Sequence, residues 1–86
     1  MKYAIEFYFT HEYDVAYGEF SREEKLYTNE LEAITDAEAI KKTATVMDEL
    51  FEYKNKFCLD GKVVAKRLRS IVRIDQEKRT TNIAFY

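Results

Sequence analysis

Few residues of this chain are of a type and spacing that could do chemistry. Nucleophilic catalysis needs a base beside the nucleophile, and His11 is the single histidine; Ser21, Ser70 and the lone Cys58 stand at no telling spacing from it. A zinc site takes three or four Cys/His ligands, and the chain offers two in all. With only Gly18 and Gly61 for glycines, neither a phosphate-cradling loop nor a dinucleotide fingerprint can be written. The carboxylate groups Glu12/Asp14, Glu23/Glu24 and Asp48/Glu49/Glu52 are what remains for a hard cation or an acid/base pair. Adjacency in sequence does not converge side chains into a cleft, so they read as solvated surface. The expectation is a protein that is not an enzyme and has no cofactor and no metal.

Recognition chemistry is better represented. The segment 62–73 interleaves cations with apolar residues, and strict strand alternation would put Arg67, Arg69 and Arg73 on one face with Ile71. With Lys66 this row suits phosphate oxygens. The competing reading is cross-strand pairing with Glu6, Glu19, Glu30 or Glu32. Aromatic residues crowd the start: eight of thirteen lie in the first 27 positions. Alternation turns Tyr3, Phe7 and Phe9 inward and leaves Tyr8, Tyr13 and Tyr17 among Glu12, Asp14 and Glu19. Tyrosines amid carboxylates suit a protein interface whose partner is basic.

The elements that must position these residues follow from periodicity. Residues 2–10 alternate as a strand with Tyr3, Ile5, Phe7 and Phe9 on the core side. Residues 11–14 read as a turn, and 15–20 as a weaker strand bent at Gly18. Residues 21–34 are ambiguous: Ser21 and Glu24 have capping-box spacing, yet a strand over 25–34 leads directly into a stronger helix start. That start is Thr35 with Glu38, and the pattern Ile40, Thr43, Ala44, Met47, Leu50, Phe51 predicts an amphipathic helix over 36–54. Asn55 would end it in a left-handed conformation. Asp60-Gly61 signals a turn, 63–69 is helical turn or strand, and 69–75 and 79–86 read as strands. The expected fold class is α+β: an antiparallel sheet of four to five strands with one long helix across one face, in a single compact domain over 1–86.

Charge is divided along the chain. Residues 1–60 hold fourteen Asp/Glu against seven Lys/Arg, and 61–86 hold seven Lys/Arg against Asp75 and Glu77, so the net of −2 hides a dipole. One cysteine permits no intrachain disulfide, which fits a reducing cytoplasm. No apolar run approaches the ~20 residues of a membrane span. A very small, acidic, aromatic-rich domain of this kind is similar to accessory proteins of phages and mobile elements, and the resemblance implies an inhibitor of host machinery. The leading expectation is therefore a cytoplasmic protein-binding module that inhibits a nucleic-acid-processing complex through Tyr8, Glu12, Tyr13, Asp14, Tyr17 and Glu19. The alternative is a small nucleic-acid-binding protein that uses segment 62–79, with Lys66, Arg67, Arg69 and Arg73 as contacts. A homodimer through the C-terminal strand is a further expectation, because Ile83, Phe85 and Tyr86 end on a sheet edge.

Overall fold

Alternation in the first strand decides the architecture. In a computed structural model, which describes residues 1–14, 18–57 and 61–85 (Phe85 through its main chain), Tyr3, Ile5, Phe7, Phe9 and His11 are all fully buried on one side of β1 (Lys2–Asp14). β2 (Phe20–Glu32), β3 (Lys62–Ile74) and β4 (Thr80–Phe85) complete an antiparallel sheet in the order β2-β1-β3-β4. One helix, α1 (Asp36–Phe57), connects β2 to β3 and lies on the face to which the odd residues of β1 point. The other face of the sheet has no helix among the described residues.

The α+β class and the single long helix are as read from the sequence, and the local boundaries differ in instructive ways. His11–Asp14 is not a turn; β1 runs straight through it, and His11 is a core residue with its ring bonded to the Tyr27 hydroxyl at 2.8 Å. Tyr27 also stacks on Phe7 with ring centres 5.8 Å apart, so β2 is the stable state for the ambiguous stretch. The Ser21/Glu24 spacing is not used as a cap. The weaker strand expected over 15–20 falls partly on residues 15–17, outside the described residues; Gly18 has a φ of 79° just ahead of β2. Residues 62–74 form one continuous strand.

The helix starts where capping predicts. The Glu38 amide donates to the Thr35 hydroxyl at 3.2 Å, and Asp36 and Glu38 place negative charge at the positive end of the dipole. It continues past Asn55 to Phe57. Its buried seam is Ala39, Thr43 and Met47, with Val46, Leu50 and Phe51 partly covered. This seam is rotated from the predicted one: Ile40 is 47% exposed and Ala44 is exposed. Small Ala39 lets the helix approach the sheet, and the buried Thr43 hydroxyl is satisfied by the Ala39 carbonyl at 2.8 Å.

Thirteen-residue strands are long for so short a chain. The molecule measures 53 × 19 × 18 Å with a radius of gyration of 15.1 Å. A compact chain of this length would have a radius near ~12 Å. The fold is therefore an elongated blade rather than a ball, with one helix along one side.

Candidate interaction surface

Two irregularities in the β1–β3 register decide where the basic residues point. Glu6 opposes Ser70 while Phe7 opposes Leu68, leaving Arg69 as an extra residue; Thr10 opposes Ala65 while His11 opposes Val63, leaving Val64 extra. Each such bulge reverses the alternation beyond it. Arg73 consequently lies opposite Tyr3 on the helix side, whereas Arg67 lies opposite Tyr8 on the bare side. The single row of three guanidinium groups that uniform alternation would build does not form.

Each member of that set has its own partner. Arg73 Nη1 donates to both Asp36 oxygens, at 3.0 and 3.2 Å, at the start of α1. The Tyr3 hydroxyl donates to the same carboxylate at 2.7 Å. This hydrogen bond, with Arg73 assisting, holds the Asp36 carboxyl below its ordinary range against the opposing effect of desolvation. Burial, and then the bond to Asp36, push the Tyr3 phenol up. Lys66 turns to the helix side, where it pairs with Asp48 and sits 5.1 Å from the centre of the Phe51 ring. Glu38 is likewise held low, first by the Lys42 hydrogen bond.

Arg67 and Arg69 belong to the bare face. The Arg67 guanidinium lies 4.1 Å over the Tyr8 ring and pairs with Glu24. Arg69 Nη1 is 3.4 Å from the Tyr8 hydroxyl and 3.6 Å from Glu6. Glu6 is thus a pairing partner, as the competing reading expected. The neighbour of Tyr8 on its other side is Leu26, 46% exposed, which the sequence reading passed over. Its signal was one apolar residue in phase with Glu24, Thr28 and Glu30, on the polar side of β2.

The predicted tyrosine–carboxylate surface is only partly gathered. Tyr8 and Glu12 face the bare side, with Glu12 bonded to Arg22 at 2.9 Å. Tyr13 is half-buried on the opposite side, stacked on His11 with ring centres 6.2 Å apart. Asp14 and Glu19 are exposed at the β1–β2 end, about 20 Å from Tyr8 by strand rise. Tyr17 lies outside the described residues.

Cross-strand rows therefore define the bare face: Leu26–Tyr8–Arg67 in the middle, Thr28–Glu6–Ser70 and Glu24–Thr10–Ala65 on either side, and Glu30–Ala4–Val72 and Arg22–Glu12–Lys62 beyond. Six carboxylates (Glu6, Glu12, Asp14, Glu24, Glu30, Glu32) share it with five cations (Lys2, Arg22, Lys62, Arg67, Arg69). Among the described residues no group of three or more His, Cys, Asp or Glu is placed to hold a metal ion, and no helix is long and apolar enough to cross a membrane. Comparison with protein-family models, curated proteins and solved structures finds no match.

Proposed function

We propose that the chain is a non-enzymatic protein-binding module whose contact surface is the bare face of the sheet. The observation that carries this reading is the central row: an exposed leucine, a tyrosine and an arginine side by side on three strands, rimmed by charged and small polar residues. Tyrosine and arginine are the residues on which interface energy concentrates, and a polar rim excludes water from them. Stacking and ion pairing hold Arg67 in one orientation, which lowers the entropy lost on binding. With no excess of cations over carboxylates on this face, a protein ligand is favoured over a polyanion, whose binding rests on excess positive charge. We extend the reading to inhibition of a nucleic-acid-processing complex, supported by Glu12, Asp14 and Glu19 towards one end of the sheet.

The test is a photo-crosslinking residue placed at Leu26 in source cells, with Thr45 on the exposed side of α1 as comparison. A discrete adduct from position 26, lost on Tyr8→Ala or Arg67→Ala and absent from position 45, is the expected result. Adducts of equal yield from both positions, or none from 26, would end the proposal. The identity of the adduct tests the inhibitory extension.

A further inference from the structure

β3 is longer than the strand beside it. It pairs with β1 over Lys62–Ile74, but with β4 only over Ser70–Ile74. On the side away from β1, the main chain from Lys62 to Arg69 faces no strand among the described residues. At Val63 that edge is already occupied: the Asn55 side chain accepts from the Val63 amide at 2.7 Å and donates to its carbonyl at 3.0 Å. An amide side chain bonding both groups of one residue imitates one rung of an absent strand. From Val64 to Arg69 no strand among the described residues supplies such rungs.

A groove runs beside this edge, of about 310 Å³, between α1 and β3. Its apolar wall is Ile40 and Ala44, which lie outside the buried seam of α1, together with Met47 of that seam and Leu68 of β3. A volume of about 150 Å³ already admits a benzene ring, so one large aliphatic side chain fits. Residues 62–69 carry Lys62, Lys66, Arg67 and Arg69 and no carboxylate of their own. Asp48 in the groove lining pairs with Lys66, and Glu24 and Glu6 pair with Arg67 and Arg69, so an acidic segment would share these cations with them.

From this combination we propose that the Val64–Arg69 edge accepts an acidic, extended segment of a partner protein as an added strand in line with β4, one apolar side chain of which enters the α1–β3 groove. Main-chain bonds supply affinity in such strand addition, and alternate side chains supply specificity. Residues opposite Arg67 and Arg69 would be acidic, and the residue between them, opposite Leu68, would be the apolar anchor. A second copy of this chain is disfavoured as occupant: antiparallel self-pairing over 62–69 sets Lys62 against Arg69, and like charges directly opposite destabilise a ladder. Arg67 and Arg69 are shared with the bare sheet face. The added strand differs from that reading in its main-chain bonds and in the α1–β3 groove, so Ile40→Glu, at a residue of the groove and not of that face, tells the two apart.

The test is nuclear magnetic resonance of the full chain titrated with the blocked peptide TVELEVT, and with TVKLKVT as charge control. Shifts confined to the amides of Val64–Arg69 and to the side chains of Ile40 and Met47 are expected, with at least tenfold weaker binding of the lysine peptide. Ile40→Glu, an exposed substitution that leaves the core intact, should weaken the acidic peptide about tenfold, and Arg67→Glu should reverse the order of the two peptides. No shift at millimolar peptide would overturn the proposal, as would shifts on Leu26 and the Tyr8 ring instead. It also fails if those amides are as protected from exchange in the free protein as those of β1, or if their protection rises with protein concentration.

Discussion

Replacing Asn55 by alanine tests the idea that the end of α1 braces the free edge of β3. Two hydrogen bonds, at 2.7 and 3.0 Å, would be lost. Each contributes about 1 kcal/mol net, because water replaces the side chain on a partly exposed edge. Alanine is the better helix former by up to ~0.7 kcal/mol, which offsets part of the loss. The expected destabilisation is therefore about 1.5 kcal/mol, and a domain of this size should lose roughly 6–12 °C of Tm. Thermal unfolding followed by circular dichroism gives the first number, and amide exchange at Val63 gives the second, because that proton loses its acceptor. Asn55→Asp separates the two bonds. It keeps the acceptor but turns a carboxylate towards the Val63 carbonyl, at a helix end where negative charge is already unfavourable, so it should be at least as unstable as the alanine variant. An alanine variant that melts within 2 °C of the parent (a margin well inside the ~4–8 °C expected per kcal/mol) and exchanges Val63 at the parental rate would refute the bracing role.

Further outcomes concern pH and the two glycines. Asp36 and Glu38 titrate lower in the fold than in the unfolded chain, so their contribution is complete above the unfolded values near ~4 and is lost as pH falls through the folded ones. Tm should therefore fall below about pH 4, less steeply in Asp36→Asn. Tyr3 titrates higher in the fold, so its contribution is complete below about pH 10 and is lost as pH rises beyond it; Tyr3→Phe should flatten the alkaline limb. Gly61 has a φ of 70°, and an added Cβ would lie 2.6 Å from the Glu12 carbonyl oxygen and 2.8 Å from the Tyr13 ring. Gly61→Ala should cost about 2 kcal/mol or more in urea unfolding, since the left-handed conformation alone costs about 1–2 kcal/mol and the overlap adds to it. Gly18 has a similar φ of 79° with open space around it, so Gly18→Ala should show the conformational part alone.

What the linear order of residues determined by itself is whatever depends on near neighbours. Tyr3, Ile5, Phe7 and Phe9 declare the buried side of β1 because successive side chains on a strand point to opposite faces. Thr35 and Glu38 declare the helix start because capping is satisfied within four residues. From these the α+β class was legible. His11 was misread because its burial comes from Tyr27 on another strand, a contact sixteen residues away in the chain.

Tertiary structure alone decided which functional side chains meet. Arg67 and Arg73 have the same parity, and the extra residue at Arg69 sends one to Tyr8 and the other to Asp36. A bulge costs little locally and leaves no pattern in the residues around it, yet it reverses every side chain beyond. Asn55 looked like a helix terminator because its role depends on a strand that arrives eight residues later. The central row Leu26–Tyr8–Arg67 needs three strands in register, and the free edge of β3 needs the length of β4 compared with that of its neighbour. Both are properties of pairing between distant segments, where the energy lies in contacts that no single segment contains.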